Sequence, residues 1–240
     1  MPTSETALFV TCLVDAFYPE VGEAAVSLLE RAGARVAFPL AQTCCGQPLF
    51  NMGYRDEARE IARRFITIFE PYEAVVAPSG SCTSMVRVFC PELFHADPAW
   101  HARAERLAAK TFELTEYLAA KGLQLEPRSS TKVVCHDSCH LLRELGAAGA
   151  SRSLLRATGA KLCDLADDGA CCGFGGAFSV KLPSISSSML SAKLDAAEAS
   201  GAEVLTAADC GCLMQISGGL RRRKSPLRVR HVAEILAGAL

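Results

Sequence analysis

None of the twelve cysteines in these 240 residues stands in the C-x-x-C spacing; the nearest approaches are Cys135 to Cys139 and Cys210 to Cys212. Structural zinc sites are usually built from such close pairs, so their usual signature is missing. An excess of charge is missing too: 25 Lys plus Arg face 26 Asp plus Glu, with a sequence pI near 6.5. No overall field therefore favours nucleic acid. No apolar stretch approaches membrane-spanning length. The opening MPTSETALFVTCLV has neither a basic stretch before its apolar run nor a small-residue cleavage site. A cytoplasmic protein with no membrane span and no nucleic-acid partner is the expectation. No P-loop or Ser-His-Asp order appears, and GFGGAF is not a dinucleotide fingerprint, because Phe178 stands where the third glycine of G-x-G-x-x-G belongs. The run Arg221, Arg222, Arg223, Lys224 beside Pro226 reads as a solvated loop, with a docking patch for an acidic partner as the alternative.

What is present is cysteine, in a hydrophobic, globular-sized chain. In a reducing cytosol, twelve cysteines argue for metal, cluster or redox chemistry rather than a disulfide framework. Their placement repeats. Cys12, Cys44, Cys45 and Gly46 map onto Cys139, Cys171, Cys172 and Gly173 at a constant offset of 127. VVAPSGSC, ending at Cys82, lies over LTAADCGC, ending at Cys212, and LTEYLAAKG (114–122) resembles VAEILAGAL (232–240). A period this long means duplicated domains. Residues 1–126 and 127–240 are expected to form two cysteine-rich lobes, joined near the linker-like LEPRSST.

Each half alternates strand-like and helical stretches. In the first, ALFVTCL, ARVAFPL and EAVVAP read as strands, with PEVGEAAVSLLERAG and ARRFITIFE as helices. The second gives TKVVCHD, AKLCDLA and AEVLTAAD as strands, with helices through SRSLLRATG and SSMLSAKLDAAEASG. The fold class is therefore α/β: two tandem similar lobes, each a small, mainly parallel sheet with flanking helices. Cys12, Cys44 with Cys45, and Cys82 fall just beyond successive strands, where open α/β sheets bind ligands. Cys139, Cys171, Cys172 and Cys212 do so in the second half.

Four thiolates are the usual ligand set of a [4Fe-4S] cluster, and each half supplies four. Adjacent thiols suit a multi-iron object, because neighbouring side chains in extended backbone point apart. Gly46 and Gly173 are expected to adopt positive φ where the loops turn back. Gly175 and Gly176 would let backbone N–H groups approach a negative centre. Zinc and a thiol–disulfide active site remain open for the same eight cysteines. Cys90, Cys135, Cys163 and Cys210 have no counterpart in the other half and read as core residues. Beside Cys139, His136, Asp137 and His140 read as half-exposed imidazoles around a helix cap, with an extra ligand or proton relay as the alternative.

The arrangement C-x(n)-CCG-x(m)-C, written twice, resembles the cysteine-rich CCG domain of heterodisulfide reductase and of the iron–sulfur components of glycolate oxidase and anaerobic glycerol-3-phosphate dehydrogenase. FVTC (9–12), CCGQP (44–48), PSGSC (78–82), CCGFGGAFSVK (171–181) and HVAEIL (231–236) resemble the lactate utilization protein A family over essentially the whole chain. The resemblance implies an iron–sulfur electron-transfer component that oxidises L-lactate to pyruvate with two companion subunits, one of them ferredoxin-like. It carries the cluster-ligand role onto Cys12, Cys44, Cys45, Cys82, Cys139, Cys171, Cys172 and Cys212, for one or two clusters. The wider family ends each motif in C-x-x-C; here Ser79 and Asp209 stand at the first position of that pair, with Cys210 beside the latter. A heterodisulfide-type reductase and a zinc-stabilised assembly scaffold are the alternative functions.

Overall fold

Strand β1 (Thr3–Leu8) runs into the buried Phe9 and forms the centre of the first lobe, in a structure that is a computed structural model describing residues 3–166 and 169–239. β2 (Val36–Ala37) and β3 (Tyr72–Ala77) pair with β1 on either side, and β4 (Thr111–Glu113) pairs with β3, all parallel. The strand order is β2-β1-β3-β4. In the second lobe β5 (Lys132–Cys135), β6 (Lys161–Cys163), β7 (Val204–Ala207) and β8 (Arg228–His231) form a wholly parallel sheet of order β6-β5-β7-β8. The α/β class and the internal duplication are thus realised as two sheets of one topology. The lobes are compact units, Met1–Gly122 and Leu123–Leu240.

Parallel strands need crossovers, which the helices provide. The helix Pro19–Arg31 joins β1 to β2 and buries Val21, Ala25, Leu28 and Leu29 at helical spacing. Each leucine, fully buried, contributes about 2 kcal/mol by leaving water. Proline opens this helix, where a missing N–H costs nothing, and Gly33 at φ 81° follows its end. The helix Arg55–Phe69 turns Ala58, Ala62, Phe65, Ile66 and Phe69 inward. Phe9 packs edge-on against Phe65 at 4.8 Å and Phe69 at 5.6 Å. No helix among the described residues is long and apolar enough to cross a membrane.

The repeat can be followed atom by atom. Ala7 lies opposite Val75 as Val134 lies opposite Leu205, and the Phe9 N–H donates to Val76 O (2.9 Å) as the His136 N–H donates to Thr206 O (2.8 Å). His136 therefore occupies the Phe9 position. Gly46 faces Ala58 O and Ile61, whereas Gly173 faces Ser186 O and Met189, which sets Arg55–Phe69 against Pro183–Ala199 at an offset of 128. In that register Ala62, Phe65, Ile66 and Phe69 fall on Leu190, Lys193, Leu194 and Ala197, all buried. Glu113 and His231 each open the last helix of their lobe in a capping box, with Glu116 and Glu234 closing it.

Three details depart from the sequence reading. The fourth strands β4 and β8 are additions, short and partly polar. ARVAFPL narrows to the two residues of β2. Arg221–Arg223 form the last turn of the helix Cys210–Arg223 rather than a loop, where cations oppose the negative end of the helix dipole. Arg223 also pairs with Asp195 and Glu198, and Lys224 ends the helix at φ 56°.

Candidate metal centres

Three segments bring the cysteines of each lobe together at the carboxyl ends of the strands. In the first lobe, Cys12 opens the helix Cys12–Phe17 after β1. Cys44 and Cys45 lie in the loop after β2, and Cys82 sits in the helix Gly80–Ser84 after β3. Gly46, at φ 88°, turns the loop back so that its N–H donates to Cys44 Sγ (3.4 Å). Ser79, at the missing cysteine position, caps the Cys82 helix: its Oγ accepts from the Cys82 N–H (3.3 Å).

The second lobe repeats this. Cys139 leads into a single wide turn, His140–Glu144. Cys171 and Cys172 lie in the loop after β6, and Cys212 is the third residue of the helix Cys210–Arg223. Gly173, at φ 81°, donates its N–H to Cys171 Sγ (3.4 Å). Cys172 and Cys212 Sγ lie 3.2 Å apart. Asp209, at the other missing cysteine position, precedes the helix, and its carboxylate accepts from Ser138 Oγ. Ser138 Oγ in turn accepts from the Leu141 N–H (3.2 Å).

All eight repeat-matched cysteines are free thiols. Within a lobe they share hydrogen bonds in a chain from Cys12 through Cys44 and Cys45 to Cys82, and from Cys139 through Cys171 and Cys172 to Cys212. One thiolate in each set gathers these donors. Hydrogen bonds from Cys12 and then Cys45 hold the Cys44 thiol down at about 3, with the Gly46 N–H assisting. Cys139 and Cys172 do the same for Cys171, at about 2. Their partners move the other way: Cys12 and Cys45 are pushed up first by hydrogen bonding to Cys44, and Cys139 and Cys172 first by hydrogen bonding to Cys171. Cys212 is lowered to about 7, first by Cys172, with the nearby His136 imidazole contributing.

Thiols this close cannot all ionise together unless a cation replaces the shared protons. The donor set of each lobe, four soft sulfurs of which some are buried in the core while Cys12 is exposed, fits thiolate-ligated iron or zinc. Cys45 and Cys82 lie in the core with Phe9 and Phe65, and Cys172 lies with Leu190 and Leu194.

Four cysteines have no repeat counterpart. Cys90 is buried in the helix Cys90–Leu93, and Cys163 is a half-buried residue of β6. Cys135 ends β5 and Cys210 opens its helix, both buried.

His136 is the residue the sequence reading placed wrongly. It is not half-exposed but 2% exposed; neither ring nitrogen makes a hydrogen bond of normal geometry, and the polar group the imidazole acts on is the Cys212 thiol, which it helps to hold down. Its ligand atom and those of Cys172 and Cys212 all lie within 4.8 Å of one another. The repeat offset carried the signal, since it lays His136 over the core residue Phe9. Asp137 is buried as well and takes two hydrogen bonds from Arg152, at 2.6 and 3.1 Å. His140 is half-buried, with Nδ1 3.5 Å from Cys139 Sγ.

Comparison with known proteins follows the same lines. The CCG cysteine-rich domain family matches residues 6–87 and 133–217. Lactate utilization protein A of Geobacillus kaustophilus (strain HTA426) is 47% identical over 236 residues, covering 97% of this chain and 98% of that protein. The protein of that name from Bacillus subtilis (strain 168) is 46% identical over 235 residues, covering 97% and 98%. Among solved structures, glutamate racemase RacE1 of Bacillus anthracis aligns at 11% identity with a TM-score of 0.39, over 99% of this chain and 80% of that one, a likeness that carries no argument. Built from two CCG cysteine-rich domains and matched end to end by these relatives, the chain belongs to the lactate utilization protein A family.

Proposed function

We propose that the chain is an iron–sulfur electron-transfer subunit of a cytoplasmic complex that oxidises L-lactate to pyruvate. The observation that carries this reading is that, in each lobe, four free thiols from three separate segments are brought into one chain of neighbouring sulfurs at the strand ends. We assign Cys12, Cys44, Cys45 and Cys82 as ligands in the first lobe, and Cys139, Cys171, Cys172 and Cys212 in the second. The names of the relatives supply lactate.

Oxidation of a 2-hydroxy acid to a 2-oxo acid releases two electrons and two protons, and a cluster bound to these thiolates would supply one-electron acceptance and release. The chain's own residues prepare that role. Cys44 and Cys171 gather hydrogen bonds from the thiols beside them, which favours the thiolate form that iron requires. Gly46 and Gly173 aim backbone N–H groups at those sulfurs, which stabilises negative charge there. The apolar core behind Cys45 and Cys172 limits water at the sulfurs.

Companion subunits, one ferredoxin-like, complete the pathway. Large apolar side chains left in solvent on the cysteine-bearing segments or just after them suit such partners: Phe17 and Leu40 in the first lobe, Val180 and Ile185 in the second. The depressed Cys44 and Cys171 thiols favour a second reading, a thiol–disulfide reductase using the same cysteines without iron.

Anaerobic purification followed by iron and acid-labile sulfide assays separates the two. Iron and sulfide bound in stoichiometric amounts, reduced but not abolished by Cys172→Ser, are the expected result. An iron-free, colourless protein that still supports lactate oxidation with its companions refutes the proposal, and rapid alkylation of Cys44 in such a protein points to the reductase.

A further inference from the structure

The two thiol sets share a backbone but not a background. Behind the first set, Phe9 and Phe65 meet edge to face, and both are buried with Cys45 and Cys82. At the matching positions behind the second set stand His136 and Lys193, at 2% and 0% exposure. Phe9 shows that a phenyl ring fills this place with no polar group to satisfy. An imidazole in the same place buries two ring nitrogens that make no hydrogen bond of normal geometry and have the thiols of Cys172 and Cys212 beside them, which is destabilising unless something binds them. A buried polar group left unsatisfied in this way points to an ion or ligand as its partner. The neighbours of the ring identify the ligand's chemistry: His136, Cys172 and Cys212 offer one nitrogen and two sulfurs within 4.8 Å of one another.

We propose that His136 is a nitrogen ligand of the second lobe's metal centre, making that centre a mixed thiolate–imidazole site where the first is thiolate only. This inference rests on the metal-binding reading of the eight cysteines. It assigns different chemistry to two sites that the cysteine pattern alone makes equivalent. Imidazole binds iron and zinc alike through a neutral nitrogen, so the assignment holds for either metal. His140 is the natural control. It is also next to a thiol, with Nδ1 3.5 Å from Cys139 Sγ, but it is only half-buried.

The test is pulsed electron paramagnetic resonance on full-length protein labelled with 15N-histidine, loaded anaerobically with iron and sulfide and then reduced. A directly bonded histidine nitrogen gives a strong hyperfine coupling. That coupling is expected in the unsubstituted protein and in His140→Phe, and is expected to vanish in both His136→Phe and His136→Gln. Phenylalanine is the residue the first lobe already accommodates at this position, and glutamine keeps a polar side chain without a ring nitrogen. Circular dichroism verifies that each variant is folded. No histidine coupling in iron-loaded protein, or a coupling that survives both His136 variants, overturns the inference. Iron and sulfide contents of the same samples report separately on the parent reading. If no iron binds, that reading fails, and the same labelled variants loaded with cobalt(II) decide the role of His136 by the same criterion.

Discussion

Alanine at Gly173 should be far more damaging than alanine at Gly46, although the two glycines are repeat counterparts in the same Cys-Cys-Gly turn. Both have positive φ, 81° and 88°, so a side chain at either place incurs the left-handed backbone penalty of about 1–2 kcal/mol. The surroundings then separate them. A Cβ on Gly46 would meet the Ile61 Cγ2 methyl at 3.3 Å, the end of a side chain that can shift by a few tenths of an ångström. A Cβ on Gly173 would lie 2.6 Å from the backbone oxygen of Ser186 and 3.1 Å from Met189 Cβ. Backbone in the helix Pro183–Ala199 would have to move, an overpacking cost of about 1–3 kcal/mol. The same shift strains the hydrogen bond from Ser186 Oγ to Gly173 O (2.7 Å), in a linkage that Gln215 Nε2 extends to Ser186 Oγ (3.1 Å), worth about 1 kcal/mol. Together these give about 3–6 kcal/mol for Gly173→Ala against about 1–2 kcal/mol for Gly46→Ala. Hydrogen exchange read by mass spectrometry on peptides spanning each turn and its following helix measures the local opening free energy directly. Equal losses at the two glycines, or a loss at Gly173 under about 1 kcal/mol, would refute the reasoning that helix backbone closes over the second turn.

Two further outcomes follow from groups outside the thiol sets. Arg152→Ala should destabilise the second lobe by about 3 kcal/mol, because it removes the cation from an Asp137 carboxylate that is 4% exposed; Arg152→Lys should recover only part of the loss, and urea denaturation followed by circular dichroism reads both. Cys90, whose thiol burial pushes up to about 12, should stay protonated and resist iodoacetamide at pH 8 until the protein is unfolded, as peptide mass spectrometry would show; labelling of native protein at the rate of a free thiol contradicts its assignment to the core.

Much of the architecture was legible because it is written twice. A constant offset of 127 through Cys12, Cys44, Cys45 and Gly46 cannot be shared by two halves unless the strands and loops between those residues are shared as well. Strand-end placement of the cysteines followed from alternating apolar strands and amphipathic helices. The fourth strands were not legible, since TFE and RVRH are too short and too polar to show a strand period; β4 and β8 exist because an open edge of β3 and β7 recruits them. The basic run Arg221–Lys224 looked like solvated coil by composition, and only the helix entering from Cys210 makes it a helix end. His136 was misplaced because the string His-Asp-Ser-Cys-His is polar throughout, and local polarity reads as exposure. Register overrides composition here: the residue after β5 must take the place that Phe9 takes after β1, whatever its side chain.

That override separates what the duplication preserved from what it left free to differ. Parallel pairing, the positive-φ glycine and the two adjacent thiols are fixed by geometry, because moving any one of them breaks the chain of neighbouring sulfurs. The residues behind the sulfurs are constrained only by volume. Phenyl rings satisfy that constraint in the first lobe, while an imidazole and a lysine occupy the same places in the second. Burying polar groups where apolar ones fit is destabilising, so their presence requires a compensating interaction. The sulfurs of Cys172 and Cys212 lie beside the imidazole, and a metal held there can supply it. The chemical difference between the lobes is therefore located behind the paired cysteines, in side chains that the cysteine pattern does not mention.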